Sequence, residues 1–176
     1  MKKKQTGFTL VELMITLAVG VIILGIGIPA FTGMMASNRA TGYANELIGA
    51  LRLARSEAVK RGAGVTVCAS NGESDLSKIA CDGTNWQNGW LVFTDPDDDR
   101  TYNSGDTLIR VWQGMEGGAS LNGTTIPSSI RFLASGELSG SVVAFAFKLE
   151  HCTGTQAKTV SVSRMGRAEI TRSACF

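Results

Sequence analysis

GFTLVELMITLAVGVIILGIGIP, residues 7–29, is one long apolar run that contains a single charged residue, Glu12. Between residues 8 and 28 the run is about 21 residues long, and at about 1.5 Å per residue a helix of this length crosses a bilayer. Lysines precede the run at residues 2–4, and lysines on one flank of a span hold that end in the cytoplasm. The stretch therefore predicts a membrane-spanning helix with the remaining chain outside the cytoplasm.

The position of the small residue Gly7 argues against an ordinary secretory signal. Such a signal has an apolar core of about 7–15 residues and is cut at the far end of that core. A cut after Gly7 would remove the lysines and keep the helix. It would lower the Lys and Arg count from 17 to 14, against 15 acids, which leaves a net charge of −1. A protein that binds nucleic acid mainly through phosphates keeps a basic surplus, so this balance disfavours that class.

Glu12 is costly inside an apolar span, so the sequence predicts a partner for its carboxylate. A cut after Gly7 would give Phe8 a free α-amine about one helical turn from Glu12. That amine could come from the same chain or from an adjacent subunit. The alternative is a glutamate that simply lies at the level of the lipid headgroups.

Residues 7–13, GFTLVEL, resemble the class III signal and N-terminus of type IV prepilins. The resemblance implies cleavage between Gly7 and Phe8 by the prepilin peptidase/N-methyltransferase, N-methylation of Phe8, and a role in assembly for Glu12. Pro29 stands where such pilins have a helix-kinking proline, and a proline lacks the N–H that continues a helix.

Residues 36–61 keep a helical period, because apolar residues recur at spacings of three and four. Glu57 and Arg61 form a favourable pair one turn apart, and Gly62 is a suitable stop. The sequence thus predicts one long, gently bent helix whose apolar stripe packs on a globular head. The stripe consists of Tyr43, Leu47, Ala50, Leu51, Ala54 and Ala58.

Beyond Gly62, short β-like runs alternate with clusters of Gly, Asn, Asp and Ser. The run 142–147 is apolar throughout, which predicts a central strand covered on both faces. The predicted strands are residues 64–70, 89–94, 107–113, 129–134, 142–149, 159–164 and 168–171.

Residues 54–62, ARSEAVKRG, are similar to the helix end of the FimT/FimU/GspH family of minor pilins and pseudopilins. The resemblance continues in Trp86 with residues 89–95, GWLVFTD, in Phe132 with Gly136, and in Gly166-Arg167. It covers essentially the whole chain, and the chain looks most like the FimU-type members.

The resemblance implies an α+β fold class, with a long N-terminal α-helix, membrane-spanning in its first half, packed on a globular head of two antiparallel β-sheets. The expected organisation is a leader (1–7), a transmembrane and assembly helix (8–35), an amphipathic helix continuing into the head (36–62) and the β head (63–176).

The function that the resemblance implies is that of a minor type IV pilin, a structural subunit of the tip or priming complex that supports pilus assembly. Its expected partners are other minor pilins, the major pilin and a tip adhesin. The expected location is the inner membrane, with the head in the periplasm, and the pilus or cell surface after assembly. The alternatives are a DNA-binding minor pilin for natural transformation and a minor pseudopilin of type II secretion.

Some FimT relatives are DNA receptors that share a Gly-Arg-x-Arg motif near the C-terminus. Here Gly166 and Arg167 are followed by Ala168 and Glu169, so an acid replaces the second arginine. This departure favours the structural role. The candidate DNA contacts of the alternative are Arg164, Arg167 and Arg172.

Four cysteines follow the span: Cys68, Cys81, Cys152 and Cys175. None forms C-x-x-C and the chain has one histidine, so a zinc site is not indicated. An even number of cysteines downstream of a membrane-targeting segment indicates disulfides in an oxidising compartment. Three pairings are possible. Cys68–Cys81 and Cys152–Cys175 are favoured because each pair is close in sequence, and four buried free thiols are the alternative.

Residues 95–106, DPDDDRTYNSGD, place acids at positions 1, 3, 5 and 12 of an EF-hand-like loop. However, Arg100 stands where the motif needs Gly, an Asp stands in place of the final Glu, and no helix flanks the loop. The simpler interpretation is a polar turn between two strands, with no metal. Calcium is the alternative, and its candidate ligands are Asp95, Asp97, Asp99 and Asp106.

Enzymatic chemistry has little support in the sequence. The Gly-rich loops have neither P-loop nor Rossmann spacing, and no nucleophile–base pair stands out. We therefore expect a structural subunit that is not an enzyme and has no cofactor.

Overall fold

The computed structural model of the protein describes residues 8–115, 120–122, 126–148, 152 and 154–175. Helix α1 (Leu10–Arg61) comes first and is 52 residues long. Eight strands and one 3-10 turn follow within these residues. They are β1 (Val65–Ala69), the turn (Trp86–Asn88), β2 (Gly89–Thr94), β3 (Leu108–Gln113), β4 (Ser120–Asn122), β5 (Ser129–Phe132), β6 (Val143–Lys148), β7 (Ala157–Val162) and β8 (Ala168–Ser173).

Helix α1 has a cap at each end. The Thr9 side chain accepts a hydrogen bond from the backbone N–H of Glu12, and Gly62 ends the helix in the left-handed conformation, with a φ of 62°. At about 1.5 Å per residue, the helix is about 78 Å long. In its last turns Arg61 Nε donates to Glu57 Oε2 at 2.6 Å. The single long helix, its stop at Gly62 and the Glu57–Arg61 pair are confirmed.

The second half of α1 packs on the head, where it contacts chiefly β7, β1 and β8. Leu47, Leu51 and Ala54 are buried there, together with most of the predicted stripe, while Tyr43 is half-buried. Ala40 and Ala44 extend the buried face towards the N-terminus. Small alanines bring the helix backbone close to the sheets, so the apolar stripe acts as the predicted packing face.

The strands form two four-stranded sheets, and the predicted α+β fold class is confirmed. The strand order is β3-β2-β1-β5 in the first sheet and β4-β6-β7-β8 in the second. All the neighbouring strands pair antiparallel. One large apolar cluster joins α1 to both sheets, and it includes Trp86, Trp90, Phe132, Phe145 and Phe147.

Among the described strands, β1 and β2 are covered on both faces, and the 142–147 run is not. All five residues of β1 are buried, because α1 covers one face and a second cluster around Cys68, Leu91 and Phe93 covers the other. In β6, Phe145 and Phe147 are buried while the alternate residues are half-buried, and Val142 is 58% exposed before the strand begins. The prediction for residues 142–147 was therefore wrong, because the alternate side chains of β6 lie on a face that α1 does not cover.

One strand was missed by the prediction and several strand ends differ from it by one or two residues, of which the start of β7 is an example. Strand β4 was not predicted, and its three residues pair with β6. Strand β7 begins at Ala157, before the predicted residue 159, and pairs with β8 over its whole length. Pairing with a neighbour decides both cases, since neither segment has a distinctive apolar alternation of its own.

Candidate assembly surface

The first half of α1 exposes its apolar side chains. Every large apolar residue from Phe8 to Met35 is exposed, from 42% at Met35 to 81% at Phe8. Soluble monomers rarely expose a contiguous apolar patch larger than a few hundred Å². The segment therefore needs a cover of lipid or of other apolar helices.

By length and composition, α1 contains a window that is apolar enough to cross a membrane, and none of that window is buried against the head. The head comes close to the helix from Gly33 onward, where Gln156 lies 3.5 Å from a Cβ built on the glycine. The helix thus changes its surroundings near residue 33.

Thr9 and Glu12 form a reciprocal capping box at the start of α1. Glu12 Oε2 accepts hydrogen bonds from the backbone N–H of Thr9 at 3.1 Å and from its hydroxyl at 3.0 Å. In return, the Thr9 hydroxyl oxygen accepts from the backbone N–H of Glu12 at 3.3 Å. Within the single chain, the carboxylate of Glu12 therefore already has a partner.

The structure describes the other residues of the predicted processing and assembly site only in part. Phe8 is exposed just before the helix, whereas Gly7 lies outside the described residues. Pro29 is inside α1, which continues on both sides of it. A proline there removes one backbone donor from the helix.

Three segments that carry the family resemblance meet at the C-terminal end of α1, and we call this contact the helix-end junction. Arg55 Nε donates to the carbonyl oxygen of Gly136 at 2.9 Å. Gly166 has a φ of 72°, and a Cβ on it would collide with that same carbonyl oxygen. Only a glycine combines this conformation with this close approach. The junction ties the helix to the turn after β5 and to the turn between β7 and β8.

An open cleft of about 520 Å³ lies beside the helix-end junction. Arg52, Arg55 and Arg167 line it, and so does Glu169. Arg164 and Arg172 are exposed. Among the described residues, neither of these two lines this cleft or the one next to it. The structure thus brings Arg167 together with two helix arginines rather than with the other two candidate DNA contacts.

A buried ion pair holds the start of the loop between β2 and β3. Asp95 is fully buried, and Arg131 Nε donates to its Oδ2 at 3.0 Å. The Thr66 hydroxyl donates to the same oxygen at 2.6 Å. Arg131 also contacts Asp98 at 3.0 Å. A side chain at Gly64 would overlap the Arg131 guanidinium, so the glycine leaves room for the ion pair.

The acidic residues of this loop lie close together. One carboxylate oxygen each from Asp95, Asp97 and Asp99 lies within 4.8 Å of the others. Burial raises the pKa of the fourth, Asp106, and the charges of the other three raise it further, against a hydrogen bond from the backbone N–H of Asn103 that lowers it. The fold therefore gathers three of the four acids that the loop pattern singled out, and the fourth, Asp106, is near enough for their charges to raise its pKa.

The cysteines pair as sequence distance favours. Cys68 is bonded to Cys81, with their Cα atoms 5.6 Å apart. Cys152 is bonded to Cys175, with their Cα atoms 5.8 Å apart. The first pair anchors the segment after β1, and the second connects the segment before β7 to the end of the chain.

Sequence reasoning missed two features of these sites. The capping box had a readable signal, because Thr9 and Glu12 have the T-x-x-E spacing of such a box. The role of Arg131 had none, since an arginine in a strand is most often a solvated residue and its partner Asp95 is 36 residues away.

Comparisons with known proteins agree with this geometry. The family model of the type II transport protein GspH matches residues 43–166. The prokaryotic N-terminal methylation motif matches residues 2–28. No protein with a curated description matches the chain.

Two solved structures are similar in fold, and both are of the type IV minor pilin FimU of Pseudomonas aeruginosa strain PAO1. The first has a TM-score of 0.58 at 21% identity and covers 79% of this chain and 96% of FimU. The second, in another crystal form, has a TM-score of 0.57 at 20% identity and covers 77% and 99%. At this identity the likeness is one of fold.

Proposed function

The chain belongs to the family of the type II transport protein GspH, and on that basis we propose that it works as a minor type IV pilin, a structural subunit near the tip of the pilus. The observation that carries the proposal is the contrast within α1. Its second half is buried on the head, while its first half exposes every large apolar side chain between Phe8 and Met35. Such a helix suits a subunit whose head folds alone and whose helix is covered by its surroundings.

The same helix face would serve in two surroundings. Before assembly, lipid covers residues 8–35, and the chain resides in the inner membrane with its head in the periplasm. After assembly, the apolar helices of other subunits replace the lipid. Replacing lipid by neighbouring helices changes the free energy of apolar burial little, because lipid tails are about as apolar as packed side chains. Assembly is then directed by the polar groups of the span, chiefly Glu12.

Processing prepares the chain for this step. Cleavage after Gly7 by the prepilin peptidase removes the leader 1–7 and exposes the amine of Phe8, which the same enzyme methylates. The match of residues 2–28 to the methylation motif supports this order of events. The amine of one subunit is then available to Glu12 of its neighbour.

The head, residues 63–176, would select the partners. Its strands place polar loops at the surface, and other minor pilins and the major pilin are the proposed contacts, with a tip adhesin beyond them. The amphipathic segment 36–62, the second half of the helix, would fix the head to the membrane-spanning half through the helix-end junction. Deletion of this chain should therefore alter the assembly of the filament rather than any reaction rate.

The test is to delete the gene in the native cell and measure surface pili and type II secretion in the same strain. We expect fewer surface pili with secretion intact, restored by the wild-type chain, which should also be found in sheared pili. Loss of secretion with normal pili would instead assign the chain to a pseudopilus. If both surface pili and secretion are normal in the deletion strain, the chain has no structural role in either filament.

A DNA-binding role is the second candidate, and the cleft lined by Arg52, Arg55 and Arg167 favours it. Three guanidinium groups around an open cleft suit a phosphate. Glu169 lines the same cleft and opposes phosphate there, and Arg55 is already bonded to Gly136. The structural role is therefore preferred.

A further inference from the structure

We propose that the loop between β2 and β3, residues 95–106, binds one Ca²⁺ ion through Asp95, Asp97 and Asp99, with Asp106 as the fourth acid of the same loop. This inference is independent of the assembly role, which neither requires nor supplies a metal. It restores the calcium alternative that the loop sequence had disfavoured, and it does so on structural grounds.

The first ground is the distance between the carboxylates. Oxygen ligands lie about 2.3–2.6 Å from Ca²⁺, so two of them on one ion are at most about 5 Å apart. The carboxylate oxygens of Asp95, Asp97 and Asp99 lie within 4.8 Å of one another, so one ion can reach all three. Asn103 connects the fourth acid to them, since its side-chain amide donates to Asp99 at 3.0 Å and its backbone N–H donates to Asp106 at 2.9 Å.

The second ground is independent of the clustering. Asp95 is fully buried, and its Oδ1 has no hydrogen-bond partner among the described residues. The Oδ1 of Asp106 is also buried without a partner among them. A buried carboxylate oxygen without a partner costs free energy. A cation bound to the cluster of Asp95, Asp97 and Asp99 would give the Oδ1 of Asp95 the partner that it lacks.

The two arginines near the loop leave room for a cation. Arg131 binds Asp95 through Oδ2 rather than through the free Oδ1, and it also neutralises Asp98. Arg100 contacts Asp98 at 3.8 Å and donates to Ser139. The arginine contacts thus concentrate on Asp98, which is not a proposed ligand, and on the second oxygen of Asp95.

The backbone removes the main sequence objection. The glycine at the sixth position of an EF-hand loop provides a sharp turn. Arg100 occupies that position and adopts the left-handed conformation itself, with a φ of 60°, as does Asp98 with a φ of 62°. The loop therefore makes the required turn without glycine, and a bound ion would help to hold these two residues in a conformation that side chains disfavour.

The choice of Ca²⁺ over Mg²⁺ follows from the ligands. Ca²⁺ accepts six to eight oxygens in flexible geometry, whereas Mg²⁺ demands a near-ideal octahedron and keeps its waters. Three carboxylates on an irregular loop, with water in the remaining positions, suit the larger ion. Extracellular calcium modules bind with dissociation constants on the order of 10⁻⁴ to 10⁻³ M, and a loop outside the cytoplasm meets calcium in that range.

The test uses the full chain, purified in detergent and freed of metal with EDTA. Calorimetric titration with CaCl₂ should show one saturable site per chain, and the melting temperature should rise with CaCl₂ more than with MgCl₂. The double variant Asp97→Asn/Asp99→Asn should weaken binding at least tenfold. Both asparagines keep an Oδ1 that accepts the loop's backbone bonds at Asp99 and Thr101, so the loop should still fold.

The matched control is Asp82→Asn, which removes an exposed carboxylate outside the loop and should leave the affinity unchanged. Equal melting temperatures of the double variant and the wild type in EDTA would show that the variant is folded. The proposal is overturned if titration up to several millimolar, the weak end of extracellular calcium sites, shows no saturable binding. It is also overturned if the double variant binds as the wild type does, or if Mg²⁺ acts equally, since that would indicate ionic screening only.

Discussion

Among single residues, Glu12 has two competing partners. In the single chain its carboxylate accepts two hydrogen bonds from Thr9, at 3.0 and 3.1 Å. The proposed amine of a neighbouring Phe8 would bring a full positive charge. Hydrogen bonds between charged groups are about twice as strong as neutral ones, and the apolar surroundings strengthen them further. Assembly would therefore exchange the capping contacts for an ion pair.

Replacing Glu12 tests this exchange. Glu12→Ala removes the carboxylate and makes the span more apolar, so insertion should be normal. We expect wild-type amounts in the membrane and severalfold less of the variant in sheared pili, measured by quantitative immunoblot. Glu73→Ala, an exposed glutamate of the head, is the matched control and should be incorporated normally.

Thr9→Ala separates the capping role of Glu12 from its assembly role. It removes the intrachain partner and frays the first turn, at a cost of about 1 kcal/mol, but it leaves the carboxylate for a neighbouring amine. Incorporation should therefore stay close to normal. If Thr9→Ala lowers incorporation as much as Glu12→Ala does, capping alone explains the effect, and the intermolecular contact is wrong.

The mature N-terminus is a second prediction at the scale of residues. The chain isolated from its native membrane should begin at N-methyl-Phe8, because the small Gly7 precedes the apolar run and the lysines precede Gly7. Intact-mass measurement reads both the cut and the methyl group. Detection of the full-length chain alone, or of a cut beyond residue 28, would contradict the proposed processing.

A third prediction concerns the replacement of Arg131. Its side chain is 8% exposed and its partner Asp95 is 0% exposed, so Arg131→Ala leaves a buried carboxylate without its cation. Breaking a buried pair in this way costs about 3–5 kcal/mol, measurable by denaturant unfolding of the chain. Arg110→Ala is the control, because Arg110 is exposed and lies 4.6 Å from the Trp112 ring centroid. Its loss should cost about 1 kcal/mol or less.

Among the secondary-structure elements, α1 is continuous although its two halves meet different surroundings. Backbone hydrogen bonds are satisfied within the helix in either medium, so nothing requires a break where the surroundings change. What anchors the helix to the head is the packed alanine and leucine face together with the helix-end junction. These two contacts determine how the sheets are oriented relative to the exposed first half of α1.

The disulfides restrain the segments between strands. We expect non-reducing peptide mapping to find Cys68 linked to Cys81 and Cys152 linked to Cys175, which are 13 and 23 residues apart. Loops of these lengths lose enough unfolded-state entropy to contribute about 3 kcal/mol each in the chain-entropy model. Reduction should lower the melting temperature accordingly. Peptides that connect Cys68 or Cys81 to the later pair would contradict this assignment.

For the whole molecule, charge separates the structural role from DNA binding. Cleavage after Gly7 would remove the three lysines and leave a net charge of −1. Of the C-terminal candidate arginines, Arg167 lines the cleft, and it shares that cleft with Glu169. A surface of this kind attracts phosphate weakly, because few counterions are released on binding.

A DNA-shift assay on residues 36–176, which keep the packed half of α1, measures this directly. We expect weak binding to duplex DNA at physiological salt. Glu169→Arg should raise the affinity, and should steepen its fall with salt by about 0.9 log units per added phosphate contact and log unit of salt. Low-micromolar affinity of the unmodified protein, lost in Arg167→Ala, would reassign the chain as a DNA receptor.

The order and type of the main elements could be predicted from the sequence because their signals are local. The apolar run between residues 8 and 28, about 21 residues, predicts a span by its length. The recurrence of Leu47, Leu51, Ala54 and Ala58 at helical spacing predicts the packing face. Gly62 marks the helix end because a left-handed residue there requires no neighbour beyond the helix itself.

Tertiary structure alone decided which strands are covered on both faces and where the charged residues meet. The 142–147 run is more continuously apolar than β1, yet β1 is buried on both faces, as β2 is, since burial depends on which segments fold over a sheet. Arg131 meets Asp95, 36 residues away, because strand pairing joins positions far apart in sequence. The local sequence pattern indicates the secondary structure and burial that a residue favours, whereas the fold determines which partner neutralises its charge.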